Sequence, residues 1–550
     1  MIKKLIEKLE NLNLSFWQIA SLFASAIFLR TFIENYTNLN NSGQVNGFID
    51  TFIHYPAWFI AVFLSVILVF FFFTRERINK VSSAVSVFSF IIIVPTIIDL
   101  VFSQGQKVLY SFIAGSYKEL WYDFSRFLVN ANEIGIGIKI EIYLVLIFAG
   151  FYVFYKTKSY IKSVSASFIV YSVIFLMLTA PIHIFSVFNF FQDQHQVITA
   201  TVVGDFFHSQ ELINSQTINR TFLFDINKSQ SMDYQKLINI FAITLSIIFL
   251  ILDIIFLGLI YFIHSREKFT AILRNLRIER IIHFWLLIGG GILVGYDFNP
   301  FRKIFVSLFD WLSLASLLFA FLFAWLFAVW ENDEADLIID RVSNSARPLT
   351  KGLFCPDEWR SIKWLWFLFA MCFGILSGYS IWIFVLVFIL VYHIYSVPPL
   401  RLKRLPVLPS ILIAINCLLA VLAGFAITGV SDRLDSFPLK YLIGILLVFM
   451  LAENIKDIKD IEGDKLGGIK TIPVLLGERL GKIAVGAMIF LAAVLAPIFF
   501  YLTAKTFIIG IVFGVIFFLL VNRKKFIERD LFLAYFAYFL CLGIIRLGAF

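Results

Sequence analysis

About fifteen stretches of roughly twenty mostly apolar residues follow one another along this chain, each long enough to carry a helix across a bilayer. In hydrocarbon every backbone N–H and C=O must find its partner inside the protein, so such runs fold as helices packed into bundles. Hydrophobic residues make up 60% of the 550 positions, against about 45–50% in soluble globular chains. A soluble globule is excluded, and the expected fold class is an all-α polytopic membrane protein. The 66 Phe residues suit lipid-facing and helix-facing positions and carry no functional weight.

The runs fall into two groups divided near residue 270. The first holds about six spans, at roughly 15–35, 55–74, 82–103, 138–156, 163–190 and 237–264. The second holds about nine, at roughly 281–297, 304–331, 361–379, 381–396, 408–430, 438–454, 480–502, 506–521 and 530–548. The expected domains are therefore 1–270 and 271–550. Pro95 and Pro181 lie inside two of the first six runs and are expected to kink them.

Basic residues orient the spans. Lys3, Lys4 and Lys8, then Arg75, Arg77 and Lys80, then Lys156, Lys158 and Lys162, then Arg266, Lys268, Arg274, Arg277 and Arg280 occupy alternate connections, which assigns them to the cytoplasmic side. The net charge of +9 follows from this topology, and no nucleic-acid partner is called for. Met1 to Leu14 reads as a short basic, amphipathic lead into the first span. Cys355, Cys372, Cys417 and Cys541 have no metal-ligand spacing, and the seven His residues form no paired motif. Arg30 and Glu34, one turn apart, permit an ion pair in the first group, where Asp253 also lies within a span.

Two acidic clusters interrupt this apolar background. Asn332, Asp336 and Asp340 fall at i, i+4 and i+8, with Asp333 beside them; Asp457, Asp460 and Asp464 fall at i, i+3 and i+7. At helical spacing each set presents one oxygen-rich face. Carboxylates at a membrane surface need a counter-charge, and two such faces suit Mg²⁺ and a diphosphate, because hard divalent ions prefer oxygen ligands and share them with phosphate.

The first cluster continues into Arg347-Pro348-Leu349-Thr350-Lys351-Gly352. Together they resemble the first motif of the UbiA superfamily of intramembrane prenyltransferases, Asn-Asp-x-x-Asp-x-x-x-Asp followed by Arg-Pro-[Leu/Ile]-x-x-Gly. Asp457, Asp460, Glu462, Gly463 and Asp464 are similar to its second motif, and Tyr395-Ser396-Val397-Pro398-Pro399-Leu400-Arg401-Leu402-Lys403 to the element between them. The resemblance covers roughly residues 270–550. It implies a nine-helix bundle in which Asn332, Asp333, Asp336, Asp340, Asp457, Asp460 and Asp464 hold Mg²⁺, and through it an isoprenyl diphosphate. It implies further that Asn332, Arg347, Arg401 and Lys403 bind the diphosphate, and that Asp333, Asp336, Asp460 and Tyr395 serve the chemistry. The hydrocarbon tail would lie in the bundle and the charged head at its cytoplasmic mouth, with the N-terminus on that same side of a prokaryotic plasma membrane.

The acceptor stays open among aromatic compounds, quinone precursors and glycerophosphate-type lipids. Many members acting on aromatic acceptors carry a further Arg where Asn344 and Ser345 stand here, and the spacing from Asp340 to Arg347 resembles members acting on glycerophosphate lipids or chlorophyllide. The rival readings are a non-catalytic prenyl-lipid binding or transport protein and a bifunctional transferase and transporter. The first six spans resemble no family. Their roles range over positioning acceptor, extending the lipid-facing cavity and recruiting a partner enzyme.

Overall fold

A computed structural model describes residues 2–12, 14–42, 47–102, 120–122, 124–126, 136–191, 232–298, 308–343, 345–428, 436–458, 461–466, 468–524 and 526–546. The described secondary structure is helical throughout, and thirteen of its helices are long and apolar enough to cross a membrane. This is an integral membrane protein of the expected class. Two of the fifteen expected spans fall outside the thirteen. Leu439–Ala452 has only 14 residues before the chain tightens into a 3₁₀ turn over Glu453–Ile458. Glu528–Arg546 carries Glu528, Arg529 and Asp530 in its first turn and Arg546 at its end.

The described residues form two compact units, one mainly before Thr270 and the other mainly from Thr270 onward. In the first unit the helical winding changes just before each of the two prolines expected to kink their runs. A 3₁₀ stretch, Ser89–Ile93, precedes the helix Val94–Phe102, and the expected single span at 163–190 divides at Thr179 into Tyr160–Leu178 and Ala180–Phe191. Pro95 and Pro181 each sit in the first turn of the new helix, where a missing N–H costs no hydrogen bond. Several buried charges are paired, whereas Asp253 Oδ1 is buried without a hydrogen-bond partner. The Lys156 ammonium donates to Glu10 at 2.6 Å and Glu76 at 3.1 Å, and Tyr152 donates to Glu10 at 2.9 Å. Arg30 reaches across to Glu141 at 3.3 Å and donates to the Ile92 carbonyl at 2.8 Å.

In the second unit the helices Ile278–Phe298 and Leu408–Ile427 lie backbone to backbone. Glycine makes this approach possible. A Cβ on Gly291 would overlap the Val421 carbonyl oxygen, and one on Gly424 would overlap that of Ile288. In a bilayer, where lipid tails are as apolar as side chains, such small-residue contacts supply helix association through van der Waals packing. Helices Leu439–Ala452, Glu478–Phe500, Ala504–Val521 and Glu528–Arg546 complete a wall around an apolar cavity. The Ser410 hydroxyl donates to Asn454 at 2.8 Å, while the Asn454 amide donates to the Met450 carbonyl at 2.8 Å and so caps Leu439–Ala452 where the 3₁₀ turn begins.

Gly424→Val is expected to force these two helices apart and cost about 1–3 kcal/mol or more, as overpacking does in closely fitted cores. Gly289→Ala, with no atom within 4 Å of the added methyl, is expected to leave stability unchanged. Unfolding midpoints of both variants in one detergent check the contrast.

Candidate active site

The helix Leu308–Ala335 ends in the first acidic motif, and two tryptophans fix that end. The fully buried rings of Trp330 and Trp359 stack at 4.9 Å, and the Trp359 indole donates to the Trp330 carbonyl at 3.0 Å. Past Ala335 the backbone keeps its helical path, since Asp336 N–H donates to the Asn332 carbonyl at 2.9 Å and Asp340 N–H to that of Asp336 at 2.8 Å. The expected i, i+4, i+8 face therefore persists across the short break between Leu308–Ala335 and Leu337–Ser343.

Each carboxylate on this face meets a cation. Asp333, 2% exposed, accepts from Arg277 at 2.8 Å, Arg347 at 2.9 Å and the Asn275 amide at 3.1 Å. Arg347 also pairs with buried Asp340. Asp336 accepts from Arg401 at 2.6 Å and pairs with Lys403 through its other oxygen. The Asn332 side-chain oxygen Oδ1 accepts from Lys403 at 3.0 Å and from the Ser396 hydroxyl at 2.9 Å. Arg401 adopts a left-handed backbone conformation, φ +39°, and its N–H closes the turn back to the Val397 carbonyl at 2.9 Å. This turn carries Arg401 and Lys403 to the first motif. Burial pushes the Lys403 ammonium below its ordinary pKa, with the Asp336 carboxylate pulling the other way.

The second motif departs from the expected single helical face. Asp457 lies in the 3₁₀ turn Glu453–Ile458, and Asp464 in the short helix Ile461–Leu466, which packs against Leu337–Ser343 of the first motif. The tighter winding of a 3₁₀ turn, three residues per turn, breaks the register assumed for an α-helix. Asp460 lies outside the described residues. Asp464 accepts from the Thr471 hydroxyl at 3.4 Å, and Asp457 is buried. Lys456 joins this motif to the intervening element. Its ammonium donates to the Tyr395 hydroxyl at 3.0 Å and lies 4.8 Å from the Tyr395 ring centre. Burial lowers the Lys456 pKa, while Asp457 and Glu453 raise it.

The first motif thus joins Asn332, Asp333, Asp336 and Asp340 with Arg347, Arg401 and Lys403 through direct contacts. Its donor atoms are carboxylate and amide oxygens, which fit a hard ion such as Mg²⁺, and three of its cations answer to the charge of a phosphate. Sequence reading missed Arg277 and Asn275, both on Asp333, and gave Lys456 no definite role. Arg277 was submerged in the basic excess that orients spans, and Asn275 belongs to no motif. Glu334 is held by Lys363 at 2.7 Å and Arg360 at 2.9 Å. His393 pairs with Glu331 at 3.1 Å.

Residues 305–542 match the model of the UbiA prenyltransferase family. The digeranylgeranylglyceryl phosphate synthase of Sulfolobus acidocaldarius is 29% identical over 163 residues, covering 29% of this chain and 57% of that protein. The synthase of the same name from Thermococcus gammatolerans is 31% identical over 157 residues, covering 27% of this chain and 51% of that protein. The chain thus spans about half the length of the curated relatives it matches. Among solved structures, a UbiA homolog from Archaeoglobus fulgidus bound to GPP and Mg²⁺ aligns with 51% of this chain and 98% of its own, at 21% identity and a TM-score of 0.40. An apo UbiA homolog from Aeropyrum pernix K1 aligns with 50% and 99%, at 20% identity and a TM-score of 0.39.

Arg347→Ala removes the guanidinium shared by Asp333 and Asp340. The expected loss is on the order of 2–3 kcal/mol, below the roughly 3–5 kcal/mol of a fully buried broken pair, because solvent reaches part of Arg347. Millimolar Mg²⁺ is expected to recover part of the loss by replacing the missing positive charge. Unfolding midpoints with and without Mg²⁺ check both statements, and Ca²⁺-free K⁺ at equal ionic strength controls for screening.

Proposed function

We propose that this chain, whose residues 305–542 match the model of the UbiA prenyltransferase family, transfers an isoprenyl group from its diphosphate to the hydroxyl of a glycerophosphate-type lipid. The contact that supports this reading most strongly is at Asp336, whose two oxygens meet Arg401 and Lys403. It gathers metal-type oxygen donors and phosphate-type cations at one point, as a metal-bridged diphosphate requires.

Asn332, Asp333, Asp336 and Asp340, with Asp457, Asp460 and Asp464, would hold Mg²⁺. When bound, the metal would neutralise diphosphate charge and make it a better leaving group. Arg347, Arg401 and Lys403 exchange carboxylate partners for phosphate oxygens and orient the head at the membrane surface. The hydrocarbon tail is assigned to the apolar cavity of the second unit, whose lining includes Glu453 at the start of the turn that carries Asp457. The allylic carbon–oxygen bond breaks, its electron pair leaves with diphosphate, and the acceptor oxygen forms the new bond to carbon as its proton departs. The Tyr395 ring, flanked by Lys456, lies in the element joining the two motifs and is assigned to the chamber where positive charge develops. Its hydroxyl, accepting from Lys456, is kept from attacking that carbon.

The choice of acceptor is supported by the names of the curated relatives and by the spacing from Asp340 to Arg347. We place the motifs on the cytoplasmic face of a prokaryotic plasma membrane and read residues 271–550 as the catalytic domain. The domain before it is assigned to holding the acceptor close to that face.

Asp336→Asn and Asp460→Asn are expected to lower Mg²⁺-dependent transfer by about 10²–10³-fold, comparable to losing one preorganised electrostatic contact in other enzymes. Release of diphosphate from labelled geranylgeranyl diphosphate by protein in lipid, with geranylgeranylglyceryl phosphate as acceptor, measures it. Metal-dependent diphosphate binding without turnover on any acceptor would instead establish the non-catalytic carrier.

A further inference from the structure

A second set of potential ligands lies in the same unit and belongs to neither acidic motif. His283 on Ile278–Phe298, Cys417 on Leu408–Ile427 and Glu453 at the start of the 3₁₀ turn are 4%, 0% and 6% exposed. They converge from three separate segments, and one ligand atom from each lies within 4.8 Å of the other two. The His283 Nε2 stands 3.4 Å from the Cys417 sulfur and 3.9 Å from the nearer Glu453 oxygen. Tetrahedral zinc with ordinary bond lengths separates a nitrogen and a sulfur ligand by about 3.5–3.6 Å and a nitrogen and an oxygen by about 3.3 Å. The first separation is already met, and the second needs the carboxylate to close by about 0.6 Å.

The remaining polar atoms of the ligands are held from outside. The other ring nitrogen, Nδ1, lies 3.2 Å from the Tyr535 hydroxyl, which leaves Nε2 turned toward the trio. The second Glu453 oxygen accepts from Arg280 at 3.1 Å, and Arg280 is held in turn by Glu528 at 3.1 Å. Metal-binding imidazoles and carboxylates are typically oriented by such partners. We propose that His283, Cys417 and Glu453 bind one divalent cation of the zinc class, with its fourth coordination position turned to the cavity that His283 and Glu453 line. Sulfur and imidazole select a borderline ion over Mg²⁺, and the ion's two charges are matched by the Cys417 thiolate and the Glu453 carboxylate. Binding releases the thiol proton to solvent. The open position takes water, or an oxygen atom of whatever amphiphile enters the cavity. The site uses no residue of the Asp motifs, and its open position faces the cavity assigned above to the hydrocarbon tail.

Tag-free full-length protein, purified in detergent without chelator and dialysed against metal-free buffer, is analysed for metal by mass spectrometry. The expected result is about one zinc per chain, reduced at least about tenfold in Cys417→Ser and His283→Ala, and retained in Asp336→Asn. Cobalt replacing the zinc is expected to give a thiolate-to-metal charge-transfer band. That band should persist when Cys355, Cys372 and Cys541 are all changed to Ser and vanish with Cys417→Ser. The band in the three-serine protein reads the site without disturbing it, so a Cys417 variant that misfolds does not decide the outcome. Folded wild-type protein that holds neither zinc nor added cobalt would overturn the site, as would a full equivalent of zinc retained in both Cys417→Ser and His283→Ala.

Discussion

Asp336 shares its two carboxylate oxygens between Arg401 and Lys403, and the organisation of the second unit turns on such pairings. A carboxylate withdrawn from water loses solvation worth several kcal/mol, which only close cations and hydrogen bonds can offset. The chain meets this demand from distant segments. Arg277 and Asn275 come from before the Ile278–Phe298 helix, Arg347 from the loop after the first motif, and Arg401 and Lys403 from the turn after Tyr379–Ser396. One acidic face therefore fixes the positions of three connections.

Such pairing is a poor source of net stability, since apolar side chains of equal volume would do as well or better. Its value lies in what the pairs can exchange. A cation that holds a carboxylate can turn to a phosphate oxygen, and the carboxylate it leaves can turn to a metal ion, so the cluster's charge is redistributed without a large change in total. The first unit provides a contrast. Arg30 with Glu141, and Lys156 with Glu10 and Glu76, also link distant helices, but their partners form no comparable run of oxygen donors on one helix face.

Much of this was legible in the sequence. Length and apolarity located the spans because a bilayer imposes a minimum run on any helix that crosses it, and Pro95 and Pro181 marked real interruptions. The first motif was legible because i, i+4 spacing survives in a continuous helical path. The second motif was less so: Glu453–Ile458 winds as a 3₁₀ turn, which no pattern of Asp residues announces, and the Ser410 hydroxyl that holds its Asn454 comes from another helix. Arg277 and Asn275 were hidden for a similar reason. Their function depends on which carboxylate they meet, and that is decided by packing rather than by neighbours in the chain.

The same distinction separates the two donor sets of the second unit. Asp and Asn oxygens on one helix repeat with that helix, so their common face can be counted off along the chain, and their hardness suits a solvated ion at the bundle's mouth. His283, Cys417 and Glu453 lie more than 130 residues apart between the first and second and occupy different segments, so no spacing rule relates them. The helices that carry His283 and Cys417 touch along their backbones where Gly291 and Gly424 allow it. A Cβ at either glycine would overlap a backbone carbonyl of the other helix. Packing of small residues in lipid thus governs the second set in the way helical periodicity governs the first.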